Sequence, residues 1–323
     1  MLSYRKLAMR VLGRPLHTEG IDSPRPASQR AAAFALTAAM LITLAAPAFA
    51  KTWHIEDGDI TVKAGDTKGT NKVSQGESTD VPDTDTVITN REKNASSNTV
   101  TIETNDKNDK VEVTLKDVNI DTSSRNKAAV SVTGEGDTNI KLDGDNALKS
   151  DIYRSGIYGS GSGSLTISGG ENDSLTAQGG SGANGISSSG SLTISGGTVT
   201  ANGDDGGRGI SSSGSVTISG GSTVTANGGN GTISGGDGIC SNGGVTISGG
   251  STVTANGGNG GSLVGGDGIR SGGGLTVSDG TVTAKGGNGD SKDGYGGDGI
   301  RSGGVITISG NTVNAAGGNG GKV

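Results

Sequence analysis

The feature that most constrains this chain is a repeat. Aligned on the apolar residue of a Leu-Thr-Ile-Ser-like beat, the landmarks are Ile167, Ile194, Ile218, Ile247, Val277 and Ile308, spaced 27, 24, 29, 30 and 31 residues apart. Aligned on Gly-Ile, they are Ile157, Ile186, Ile210, Ile239, Ile269 and Ile300, spaced 29, 24, 29, 30 and 31. Two landmarks in step define a true repeat. Glycine follows no strict period of three, which excludes collagen. A flexible linker has no reason to hold its aliphatics in phase.

Each repeat carries three beats: Leu/Val-Thr-Ile/Val-Ser, Thr-Val-Thr-Ala and Gly-Ile-x-Ser. Apolar and hydroxyl residues alternate within them, the period of a half-buried strand. Three short strands per ~30 residues predict an all-β fold, a right-handed parallel β-helix (solenoid) with 24–31 residues per coil. Its coils stack ~4.8 Å apart. Leu165/Ile167, Leu192/Ile194, Val216/Ile218, Val245/Ile247 and Leu275/Val277 form one inward ladder. Val199, Val224, Val253, Val282 and Val313 form a second, and the Gly-Ile residues a third. Glycine is expected at corners that need a positive φ. A few aliphatics per coil do not offset the entropy of ordering about thirty residues. Backbone ladders, stacked polar side chains or bound ions must supply the balance.

The N-terminus differs. Arg25 and Arg30 precede an apolar run, Ala31 to Ala46, and Ala48-Phe49-Ala50 places small residues where a signal peptidase reads. Residues 1–50 are therefore expected to be a signal peptide with a long basic n-region, cleaved near Ala50. The run is shorter than the ~20 residues of a membrane span, the competing reading. Met9 is an alternative start. The expected mature chain holds 20 Lys and Arg against 30 Asp and Glu, a formal charge of −10. That disfavours nucleic acid as a partner and suits an exported protein that gathers cations. Residues 51–83, with Trp53, Ile55 and Ile60-Thr61-Val62, are expected to form a leading strand and cap. Residues 84–160 carry the same beats with less glycine and read as N-terminal coils, or alternatively as a separate small β-domain. Residues 161–323 hold 53 of the 64 glycines. The final coil stops before its Gly-Ile beat, leaving an edge open to strand addition.

The run VTIETNDKNDKVEVTLKDVNIDTSSRNKAAVSVTGEGDTNIKLDGDNALKS (100–150), with coils such as SLTISGG and NGISSSG after it, resembles bacterial secreted carbohydrate-binding right-handed β-helix proteins. The likeness spans about residues 84–323. It implies a polysaccharide partner or cell-surface glycan, acidic in character, and calcium. It supplies no short motif, so no binding residue is carried over.

Candidate chemistry is sparse. Asp237, Asp267 and Asp298 each lie two residues before a Gly-Ile aliphatic. Stacked ~5 Å apart they would repel unless a cation sat among them, and Ca2+ accepts such oxygens. The bland alternative is solvated corner aspartates. Arg270 and Arg301 follow the same aliphatics, as Ser187, Ser211 and Cys240 do in earlier coils. Polysaccharide lyases of this fold join Ca2+-binding acids to an arginine base, so a lyase is the enzymatic alternative to a non-catalytic binder. Asn202, Asn227 and Asn256, and Asn230, Asn259, Asn288 and Asn319, read as structural amide stacks. The Thr-x-Thr rows read as ordinary outward strand residues rather than an ice-binding lattice. His54 is the expected mature chain's one histidine and Cys240 its one cysteine, so a histidine triad, a two-histidine zinc site and an intramolecular disulfide are excluded. Trp53, Tyr153, Tyr158 and Tyr295 are all the aromatics available after residue 50. Stacking on a neutral glycan face is therefore poorly served. A structural or adhesive solenoid that contacts protein or host surfaces is the second functional reading.

Overall fold

The computed structural model describes residues 50–289, 294–309 and 312–321. The expected signal segment lies outside them, apart from Ala50. Backbone contacts divide the chain between Ala48 and Phe49, and residues 49–323 form one unit. That unit is a parallel β-helix of about 8 turns with three strands per coil.

Among the described residues the Leu-Thr-Ile beats build a ten-stranded sheet that runs from Thr52–His54 to Ile306–Ile308. Its register stacks Leu165, Leu192, Val216, Val245, Leu275 and Ile306 in one row and Ile167, Ile194, Ile218, Ile247, Val277 and Ile308 in the next. The Thr-Val-Thr beats build an eight-stranded sheet. It aligns Val199, Val224, Val253, Val282 and Val313, with an inward alanine row of Ala201, Ala226, Ala255 and Ala284 beside it. The Gly-Ile beats build an eleven-stranded sheet whose row is Ile157, Ile186, Ile210, Ile239, Ile269 and Ile300. All three predicted ladders face a common core, and the threonines and most serines between them face outward.

The N-terminal strands belong to the same stack. Thr52–His54 pairs in parallel with Val87–Thr89, and Ile60–Ala64 with Val100–Glu103. Only Asn71–Gln75 and Ser78–Asp83 depart, adding two antiparallel strands to the edge of the Gly-Ile sheet. Trp53, Ile55 and Val73 are buried at this end. At the opposite end of the described residues Val305 is 77%, Ile306 47% and Ile308 48% exposed.

Glycine has two separate uses. Where the Leu-Thr-Ile beat turns into Thr-Val-Thr, the pairs Gly196-Gly197, Gly220-Gly221 and Gly249-Gly250 all have φ between 63° and 86°. That is the left-handed region glycine enters freely. At the corner that leads to the Gly-Ile beat Gly182 and Gly206 also have a positive φ, but for the glycines of the later coils the reason is space. There the loops pack backbone on backbone in one hydrogen-bonded zigzag across coils. Gly229 donates to Gly207, Gly236 to Gly229, Gly258 to Gly236, Gly266 to Gly258, Gly287 to Gly266, Gly297 to Gly287 and Gly318 to Gly297, each at 2.8–2.9 Å. A Cβ at Gly266 would lie 1.9 Å from the Gly236 carbonyl oxygen, and one at Gly287 1.9 Å from that of Gly258. This backbone ladder satisfies buried N–H and C=O groups and adds stabilisation beyond that of the aliphatics.

Candidate functional site

From the 24-residue coil onward, the same corner supplies most of the added coil length. Between the Thr-Val-Thr-Ala beat and the Gly-Ile beat the shortest coil has residues 203–209, whereas the later ones have 228–238, 257–268 and 286–299. In a solenoid, insertions confined to one edge raise a wall along the axis. The Gly-Ile sheet lies beside this wall. Its outward positions form the row Tyr158, Ser187, Ser211, Cys240, Arg270 and Arg301.

Between wall and sheet runs a groove of about 560 Å³ that is lined by Arg208, Asp237, Val264, Asp267, Arg270 and Arg301. It is continuous, through Gly182 and Asn184, with a hollow of about 220 Å³ around Tyr153, Arg154 and Tyr158. Tyr153 and Tyr158 are 77% and 43% exposed. The result is an axial channel with tyrosines at one end and guanidinium groups along its floor.

The predicted acid row is there, and it does structural work. Asp237 Oδ1 accepts the Asp267 N–H at 2.9 Å, and Asp267 Oδ1 accepts the Asp298 N–H at 2.8 Å. Two coils before the Asp237–Asp267 step, Asn184 Oδ1 accepts the Arg208 N–H in the same way at 2.8 Å. Between them the ladder changes character, because the Arg208 side chain has no acceptor to offer the Asp237 N–H. Arg208 Nε lies 3.2 Å from Asp237 Oδ2, so Asp237 already has a cation. Asp237 and Asp267 are buried and Asp298 is exposed. Among the described residues no group of three or more His, Cys, Asp and Glu side chains is gathered as a metal site. In this aspartate row the carboxylate oxygens that accept no hydrogen bond from a described residue are Asp267 Oδ2 and those of Asp298. These are what a bridging Ca2+ would have to use.

Burial, together with the negative charges of Asp237 and Asp298, pushes the Asp267 carboxyl above its ordinary value, against the pull of the Asp298 N–H and Arg301. Such a group contributes stability that is complete below the unfolded carboxylate range and is lost as pH rises through its folded value. Asp267→Asn keeps an acceptor for the Asp298 N–H and removes a charge held between two others. It is expected to stabilise the chain at pH 7 by on the order of 1 kcal/mol, about 2–4 °C in Tm, and to change little at pH 3. Thermal melts at both pH values check this, and a lower Tm at pH 7 would reject the structural role.

The asparagine stacks form as expected. Asn227 donates to Asn202 and Asn256 to Asn227, both at 2.8 Å. In the other row each side-chain oxygen of Asn230, Asn259 and Asn288 accepts the next coil's backbone N–H at 2.7–2.8 Å. Cys240 is buried in its row, and burial pushes its thiol pKa up, away from nucleophilic use.

Two features escaped the sequence reading. Arg208, which stands where the following coils carry Asp237, Asp267 and Asp298, is the counter-ion of Asp237 and lines the groove. The loop wall also carries exposed apolar tips on successive coils: Ile233 59%, Leu263 53%, Val264 41% and Tyr295 73% exposed. Leu263 donates to the Ile233 carbonyl, and Val264 bridges to Tyr295. Their signal is present in the sequence as apolar residues inside glycine loops, out of phase with the three beats.

Comparison with protein-family models, curated proteins and solved structures finds no significant match to this chain.

Proposed function

We propose that this chain is an exported, non-catalytic β-helix protein that binds an acidic polysaccharide along the axial groove. The observation that carries the reading is the placement of Arg208, Arg270 and Arg301 along one channel in a chain of acidic overall charge. Guanidinium forks match carboxylates in shape as well as charge, and an extended polymer suits a site that repeats along an axis. The exposed tyrosines at the channel's end supply stacking faces. Calcium enters as an auxiliary ion between glycan carboxylates and the free oxygens of Asp267 and Asp298.

The test is calorimetric titration with polygalacturonate, with added Ca2+ and with a chelator. The double variant Arg270→Ser/Arg301→Ser is expected to weaken binding about tenfold or more. Loss of binding under the chelator would make the cation primary. Unsaturated uronate ends in the product would replace this reading with a lyase. Equal affinity for duplex DNA of matched charge would reduce the groove to a general polyanion trap. The exposed row Ile233, Leu263, Val264 and Tyr295 favours a second reading, an adhesive solenoid that holds protein partners through its loop wall. Retention of protein alone, with no uronate binding, would select it.

A further inference from the structure

The cap holds a buried acid whose company is unusual. Asp83 is 1% exposed. Its carboxylate accepts the Trp53 indole N–H at 2.7 Å and the backbone N–H groups of Lys51 and Asp85 at 3.2 Å each. Among the described residues none of the ion pairs includes Asp83. The Lys51 ammonium is spent elsewhere, 3.7 Å from the centroid of the Trp53 ring. Carboxylates this deeply buried normally have a cation beside them.

The sequence supplies one. Ala48-Phe49-Ala50 marks the bond between Ala50 and Lys51 for an endopeptidase that reads small residues, and Ala50 is exposed. Hydrolysis adds water across that amide. Ala50 leaves as a carboxylate, and the Lys51 backbone nitrogen takes up protons and becomes an α-ammonium. It is the same nitrogen that sits 3.2 Å from Asp83 Oδ1. We infer that processing between Ala50 and Lys51 installs the missing cation, so that a pair between the new N-terminus and Asp83 locks the cap of the mature solenoid. This rests on the export part of the reading above and is independent of what the groove binds.

The experiment has two stages. Mass spectrometry of the exported protein is expected to show Lys51 as its first residue. Any other first residue overturns the inference and leaves the groove untouched. The purified chain starting at Lys51 is then melted before and after transamination, which converts the α-amine into a ketone and spares lysine side chains. An α-amino group titrates near pH 7.7–8.0 when free. Paired with a carboxylate, its folded value rises, so its stability is complete below that range and is lost as pH increases through the folded value. Transamination is expected to lower Tm by about 3–6 °C at pH 6 and by nothing at high pH. Asp83→Asn is expected to erase the difference. Identical melting curves at every pH, with Lys51 confirmed as the first residue, would overturn the lock while export stands.

Discussion

Gly266→Ala is expected to lower Tm by roughly 6–12 °C, the effect of a loss of about 3 kcal/mol. Nothing about the φ of Gly266 requires glycine; the added methyl would lie 1.9 Å from the Gly236 oxygen. The oxygen is backbone and the position of a Cβ is fixed by the backbone, so neither can rotate away. Relief requires the two coils to separate, which stretches the bonds from Gly266 to Gly258 and from Gly287 to Gly266. Coils touch only their neighbours, so loss of amide-exchange protection should centre on residues 236–297 and spare the N-terminal coils. Gly250→Ala is the control. Gly250 has φ +74° and nothing within 4 Å of an added Cβ. Its cost is the left-handed backbone alone, about 1–2 kcal/mol. Equal melting of the two variants would refute the close-packed zigzag as a source of stability.

This contrast shows how far the sequence could be read. In-phase aliphatics revealed the three sheets because their cause is local: a strand that turns Ile218 inward must turn Thr217 outward. Glycine has no such signature. Gly250 and Gly266 look alike in the chain, yet one serves a turn and the other a contact with a residue thirty positions away. The same limit applies to the groove. Asp237, Asp267 and Asp298 stand in line because their spacing follows the coil. Whether a carboxylate faces a cation, a backbone N–H or water depends on loops whose path the repeat does not set. Arg208 shows this best. By sequence it interrupts the row, and in three dimensions its guanidinium neutralises Asp237 one coil on.

The functional consequence is a division of labour around the coil. The two corners rich in glycine differ in freedom: the turn into Thr-Val-Thr stays short, from residues 196–197 to residues 169–173, whereas the other corner grows from residues 203–209 to residues 257–268. That growth leaves the register of the flanking Thr-Val-Thr and Gly-Ile sheets intact. For the binding role proposed above, specificity should therefore reside in the loops at 228–238, 257–268, 286–289 and 294–299, over a floor fixed by the Gly-Ile strands.

Trp53→Ala is expected to cost about 3–5 kcal/mol, the usual penalty for deleting a buried tryptophan. The residue is 2% exposed, lies on the first strand of the Leu-Thr-Ile sheet and closes the N-terminal end of the core. The later coils bury side chains no larger than leucine or isoleucine, so Trp53 is the largest single apolar contact of the described core. Trp53→Phe separates packing from hydrogen bonding. Phenylalanine keeps much of the ring volume but leaves Asp83 without the indole donor at 2.7 Å. A buried carboxylate that loses one donor of three is expected to cost about 1–3 kcal/mol. Denaturant unfolding followed by circular dichroism checks both variants, since no other tryptophan reports on the fold. If Trp53→Phe unfolds at the wild-type midpoint, the indole bond contributes nothing and the N-terminal anchor is packing alone. If it falls between wild type and Trp53→Ala, the cap is held by an apolar plug and by a carboxylate that needs every donor around it.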